Sequence, residues 1–205
     1  MISPSTLFKR KNSPLHPMQI TEVEYFENEK GGLHKLRTGW PVTNLPDLYF
    51  DIFKMNILLL WGEILTLILK NEGKNENLFD FISRSLEYLN STRKDTANFN
   101  LFFLYRLAGL LGYKINTDSW QEGYVFNIYD GNFCAAGDSI FPVSGPNTAR
   151  IIYRLCTCEV EELKDIPLNR ESRNILLDIV LLFFNTHLNI NFNIKSIQVI
   201  REIFS

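Results

Sequence analysis

Strict alternation of apolar and polar residues occurs in one long stretch of this chain. Met18 to Phe26 and Leu33 to Trp40 flank the polar segment Glu27-Asn28-Glu29-Lys30-Gly31-Gly32, a pattern that predicts a β-hairpin. Pairing the two arms about that turn sets Phe26 opposite Leu33, Glu24 opposite Lys35 and Glu22 opposite Arg37, and leaves Val23, Tyr25 and Leu36 on the other face. Two strands cannot cover their own apolar face in water, so another element has to pack on them.

Beyond Leu45 the apolar spacing becomes helical. Pro41 and Pro46 bracket a linker, and Asp47 sits in the first turn of a helix that the pattern carries to about Lys70. That run is apolar on most sides, which predicts a central position. Asn71-Glu72-Gly73-Lys74-Asn75 ends it, and Leu78, Phe79, Ile82, Leu86 and Leu89 mark a second, amphipathic helix. Asp95 opens a third, with a stripe of Phe99, Phe102, Phe103, Leu107, Leu110 and Leu111 and a closing Gly112. Tyr124 to Ile128 and Asn132 to Ala135, joined by Asp130-Gly131, predict a small second hairpin. Further helices follow over 147–155, over 170–188 on Ile175, Leu176, Ile179, Val180 and Phe183, and over 195–204. The expected fold class is therefore mainly α: a helical domain over 45–205 with a short β-hairpin insertion, behind a β segment over 1–44 too small to fold alone.

Composition adds little against this. The chain of 205 residues is 45% hydrophobic and 21% charged, which suits one domain with a real core, and from its formal charge of -2 neither wholesale coating of a nucleic acid nor an acidic tail follows. The distribution of charge is more informative, because residues 1–44 hold six Lys or Arg against four Glu, while the rest holds fifteen against nineteen acids. Three cysteines, Cys134, Cys156 and Cys158, make no even disulfide framework, and with no secretory pattern at the front they predict a reducing, cytoplasmic setting. The apolar runs 55–69 and 175–184 are interrupted by Gly62 and Glu63 and by Asp178, so core helices are expected rather than membrane spans.

A search for chemistry finds no catalytic site and no cofactor motif. The histidines His16, His34 and His187 lie in no catalytic pattern; His187 suits a helix C-terminus or a packing position, and His34 faces Tyr25 in the hairpin. No Gly-rich phosphate loop, metalloprotease pair or nucleophile elbow is present. Cys156-Thr157-Cys158 lacks two further zinc ligands at sensible spacing, so no metal is expected. Lys9, Arg10 and Lys11, in a proline-punctuated stretch, suit a phosphate-binding loop and a solvated arm equally. Lys35 and Arg37 have Glu24 and Glu22 as strand partners, which weakens them as DNA contacts.

Order and wording together resemble the RecO family of bacterial recombination mediators, in the versions found in the Bacteroides group. The words are P-L-H-P-M-Q-I-T-E-V-E-Y before a basic second strand, N-L-F-D-F-I-S-R-S-L-E-Y-L after a long apolar helix, and A-N-F-N-L-F-F-L-Y-R-L-A-G-L-L-G-Y. Y-V-F-N-I-Y-D-G-N-F follows, and H-L-N-I-N-F-N-I-K-S-I-Q-V-I-R-E-I-F closes the chain. The resemblance implies an N-terminal OB-fold that binds DNA, a helical domain behind it, and a protein that anneals single-stranded DNA and loads recombinase with RecR and single-strand-binding protein. It carries DNA binding onto Lys9, Arg10 and Lys11 by loop position and onto Lys35 and Arg37 by strand position, as phosphate contacts without base readout.

Two departures qualify those expectations. The first strands of the family's barrel are absent before Leu15, so 1–44 is expected to hold only its last strands and a basic loop. Many relatives also carry four cysteines after the third helix, where this chain has only Cys134, so zinc is not carried over. A groove on the helical domain for an acidic-hydrophobic tail of single-strand-binding protein is implied for some relatives, without residues to name. A helical protein-interaction domain with no DNA binding of its own is the alternative.

Overall fold

The computed structural model describes residues 16–28, 32, 34–71, 73–138, 144–188 and 194–203. Two short antiparallel hairpins flank a helical body: β1 (Thr21–Phe26), β2 (Lys35–Pro41), α1 (Pro46–Phe50), α2 (Ile52–Ile68), α3 (Glu76–Ser91), α4 (Thr96–Leu110), β3 (Val125–Asn127), β4 (Asn132–Cys134), α5 (Pro146–Thr157), α6 (Arg170–Leu188) and α7 (Ser196–Ile203). The mainly α class expected from the pattern is what forms.

Helix α4 is the centre of the body. Every residue from Asn98 to Tyr105 is buried, more than the single stripe read from the pattern, while Leu110 at its end is exposed. Its polar side chains find partners inside. Trp61 Nε1 donates to Asn100 Oδ1 at 2.8 Å, Asn98 Nδ2 to the Ile166 carbonyl at 2.9 Å, and the Tyr105 hydroxyl to the Leu176 carbonyl at 3.0 Å. These three bonds tie α2, the segment after α5 and α6 to one helix, and a buried polar group left unpaired there would cost about 1–3 kcal/mol. Trp61 also stacks on Phe103 at 3.6 Å between ring centroids.

The long apolar run from Asp47 is two helices, not one. Asp51 takes an extended conformation, and its carboxylate accepts from the Phe53 and Lys54 amides at 2.8 and 3.1 Å, which starts α2 afresh. A short 3-10 turn, Leu69–Asn71, ends it. Lys54 is only 3% exposed and donates from Nζ to the Asn90 carbonyl at 2.7 Å, in the last turn of α3, where a cation complements the helix dipole. Two residues expected in the core face water: Phe79 is 56% exposed and Ile175 43%.

The first hairpin forms in a different register. Phe26 pairs with Lys35 and Tyr25 with Leu36, then an irregularity between Glu24 and Tyr25 shifts the ladder so that Glu24 pairs with Thr38 and Glu22 with Trp40. The charged ladder expected from simple alternation does not form, because that extra residue changes which side chains share a face. Leu36 is buried, whereas Val23, Tyr25, Phe26 and Trp40 are exposed. The sheet is anchored through the segment that leads into it: His16 stacks on Tyr49 of α1 at 4.2 Å, Met18 lies against Gly62 of α2, and Val42 N donates to the Ile20 carbonyl at 3.1 Å.

The second hairpin turns at Asp130-Gly131. Gly131 has φ +63, and a Cβ there would meet Phe183 at 3.4 Å, so the turn presses directly on α6. His187 Nε2 lies 2.9 Å from the Ile128 carbonyl and its ring packs on Phe183, the packing role the sequence suggests. Among the described residues no group of His, Cys, Asp and Glu could hold a metal ion, and no helix is long and apolar enough to cross a membrane.

Candidate partner groove and basic strand

A groove of about 610 Å³ opens where α3, α4 and the end of α5 meet. Helical spacing builds two of its walls. Phe81, Arg84, Ser85 and Tyr88 share one face of α3, and Phe102, Tyr105, Arg106, Gly109 and Leu110 share one face of α4. Lys114 and Ile115 close one end, and Cys156, Glu159 and Val160 the other side.

The floor is aromatic and the charges are nearly of one sign. Arg84, Arg106 and Lys114 line the groove against a single carboxylate, Glu159. Glu159 is also engaged, since it forms a reciprocal capping box with Glu162. Arg106 is held on two sides: Nη2 donates to the Cys158 carbonyl at 3.0 Å, and the guanidinium carbon sits 5.2 Å from the Phe102 ring centroid. A guanidinium fixed in this way presents its remaining donors in one geometry, which suits a carboxylate. Gly109 contributes space, because a Cβ built on it meets nothing within 4 Å.

Burial disfavours the thiolate of Cys156, which lines the groove, and of Cys158 two residues on. Burial pushes Cys156 up to about 12 against the pull of Arg106, and Cys158 is raised in the same way. Their thiolates are scarce near neutral pH.

The DNA-contact residues expected from the sequence divide in two. Lys9, Arg10 and Lys11 lie outside the described residues. Lys35 and Arg37 are both exposed on β2. Arg37 pairs with Glu24 at 3.5 Å, with both side chains at least half exposed, so the bond is weak. Lys35 lies opposite Phe26 and has no ion pair among the described residues. The sequence motifs do not single out the groove residues. The signal that marks them is a cation on an otherwise aromatic helix face, Arg84 between Phe81 and Tyr88 and Arg106 beside Phe102.

A family model described as "Recombination protein O C terminal" matches residues 49–196. This chain belongs to the RecO family. The matched span begins inside α1 and ends at the first residue of α7, so it contains the whole groove. Beyond that span, the chain is 30% identical over 187 residues to the DNA repair protein RecO of Christiangramia forsetii, covering 90% of this chain and 77% of that protein. It is 28% identical over 196 residues to the DNA repair protein RecO of Phocaeicola vulgatus, with 92% and 78% covered. The RecO of Bacteroides fragilis is 25% identical over 195 residues, with 95% and 81% covered. The likeness to the Bacteroides-type proteins read from the sequence therefore extends over most of the chain.

Proposed function

We propose that this protein acts in DNA repair and recombination as a mediator that binds single-stranded DNA without reading sequence, helps complementary strands anneal, and works in the cytoplasm with RecR and single-strand-binding protein. The observation that carries the reading is the RecO match, which runs from within α1 to the start of α7. Residues 1–44 then act as the end of an OB barrel, a reading supported by the exposed Val23, Tyr25, Phe26 and Trp40, apolar side chains that a larger barrel would cover. Lys35 and Arg37, with Lys9, Arg10 and Lys11 on the preceding segment, neutralise phosphates, and base pairing completes the annealing. The groove receives the acidic-hydrophobic tail of single-strand-binding protein, its aromatic floor taking apolar side chains and Arg84, Arg106 and Lys114 the carboxylates.

Anisotropy of a labelled single strand titrated at several salt concentrations tests the DNA half. Lys35→Glu weakens binding and lowers the log-log salt slope by about 0.7 for each phosphate that is no longer neutralised, whereas Glu24→Gln, which removes a carboxylate beside Arg37, strengthens it. If charge reversal at Lys9, Arg10, Lys11, Lys35 and Arg37 together leaves affinity and slope untouched, the basic strand is not the DNA surface. A reading as a helical protein-interaction domain without DNA binding would then be favoured, because the groove is complete without the hairpin.

A further inference from the structure

The elbow between α1 and α2 displays large apolar side chains to solvent. Phe50 is 90% exposed and Ile52 66%. The backbone that carries them is held firmly. Leu48 is fully buried and its amide donates to Asn90 Oδ1 at 3.3 Å, Tyr49 stacks on His16, and the Asp51 carboxylate caps α2. Phe50 therefore stands on a rigid support, and docking it against a partner costs little conformational freedom. An aromatic side chain displayed in this way has the character of an interface anchor.

Charge narrows the choice of partner. Asp47 and Asp51 flank Phe50 and both are exposed, while no Lys or Arg occurs from Thr38 to Phe53. The elbow is an acidic-apolar knob. Its complement lies on the same molecule: the groove of about 610 Å³ between α3, α4 and the end of α5 has an aromatic floor and sets Arg84, Arg106 and Lys114 against the one carboxylate of Glu159. A cavity of that size takes a few side chains. The knob of the same chain does not fill it, since Phe50 is almost wholly in solvent and none of residues 47–53 lines the groove.

We propose that the groove is also a self-association site, which receives the α1–α2 elbow of a second copy of this chain. Phe50 and Ile52 enter the aromatic floor, and Asp47 and Asp51 meet the basic rim. The two surfaces differ, so the contact is heterologous and copies add head to tail. One knob in one groove falls at the small end of interface sizes, which makes the association weak and reversible. The elbow takes the same seat as an acidic-apolar tail, so a bound tail releases one copy from the next. That competition rests on the groove reading above; the contact between copies does not.

Sedimentation velocity of the full chain from micromolar to near-millimolar concentration tests the contact. The weight-average mass is expected to rise with concentration, Phe50→Asp and Gly109→Leu each to hold the chain as a monomer, and Asp47→Lys to weaken association roughly two- to fivefold. Phe50 is exposed, so its variant keeps the fold, which circular dichroism checks. The decisive sample is an equimolar mixture of Phe50→Asp and Gly109→Leu. One retains the groove and the other the elbow, so the mixture is expected to dimerise where neither component does. A wild type that stays monomeric throughout overturns the proposal. So does a mixture that stays monomeric, the result expected if elbows pack on each other. Association lost with Phe50→Asp but kept with Gly109→Leu seats the elbow elsewhere and overturns the groove as its site. In a second arm, an acidic-apolar peptide with a free carboxylate is expected to lower the wild-type mass. A peptide that fails to bind while the mixture still dimerises sinks the tail reading and leaves the contact between copies standing; one that binds the groove without lowering the mass overturns the shared seat.

Discussion

At the scale of single residues, the groove gathers side chains whose surroundings fix their chemistry. Cys156 is the clearest case. Its ordinary value is 9.0, and burial carries it to about 12 even though Arg106 pulls it down and Cys158 pushes it up. Between those two values the unfolded thiol has released its proton and the folded one has kept it. The folded state binds more protons there, so stability is level below about pH 9 and falls as the pH rises toward 12. Tyr105 is raised by burial too and contributes with the same sign, so the measurement is a difference. Chemical denaturation of wild type and Cys156→Val across pH 7–11 is expected to run parallel up to about pH 9, with wild type alone steepening beyond it. Parallel curves throughout would mean that Cys156 ionises as freely in the folded protein as in the unfolded one. Alkylation at pH 8 gives the kinetic counterpart: the native thiol reacts far more slowly than the denatured one.

At the scale of elements, the last helix shows how caps organise this fold. Glu63, in the C-terminal half of α2, accepts from the Lys195 amide at 2.7 Å and the Ser196 amide at 3.4 Å, so a carboxylate from one helix closes the start of another. The far end of α7 is held by the Arg201–Asp178 pair and by Arg170, which donates to the Arg201 carbonyl at 3.2 Å. Glu63→Ala is expected to cost about 1 kcal/mol and to appear as faster hydrogen exchange in α7, with α4 unaffected. Equal loss of protection in both helices would show that Glu63 supports the whole core instead. The same physics explains what the sequence reveals. Helix α3 is readable from the helical spacing of Leu78, Ile82, Leu86 and Leu89, with Asn75 capping it in the structure by accepting from the Leu78 amide at 3.0 Å, and α4 because Asp95 and Gly112 mark its ends. The break at Asp51 is hidden, since one capping acid inside an unbroken apolar run looks like a core polar residue. The hairpin register escapes because a bulge leaves no mark on alternation, and Phe79 and Ile175 mislead because spacing tells which face a residue is on, not whether that face is covered. The groove depends on Arg84, Arg106 and Lys114 meeting from two helices and a loop, a distance relation that no local pattern carries.

At the scale of the whole molecule, the groove and the basic hairpin are built from separate elements, so the two binding functions proposed for them can be separated by mutation. Gly109 is the position that does so most cleanly. It occupies the last turn of α4, where glycine weakens a helix by about 0.5–1 kcal/mol relative to alanine, yet it has no close neighbour that requires a missing Cβ. Neither a turn nor tight packing requires glycine here, and the position lines the groove. An added Cβ at Gly109 has open space around it, so Gly109→Leu is expected to keep or slightly gain stability by thermal melting while its side chain takes up room at the groove. Binding of an acidic-apolar peptide with a free carboxylate, read by calorimetry, is expected to fall below detection. Arg106→Gln, which keeps the shape and removes the charge, is expected to weaken the same peptide by about tenfold, as the loss of a hydrogen bond to a charged group requires. Neither variant touches β2, so the affinity for single-stranded DNA and its salt slope are expected to match wild type. Peptide binding that survives Gly109→Leu would move the partner surface elsewhere on the helical body, and DNA binding that falls with it would mean that the two surfaces are one.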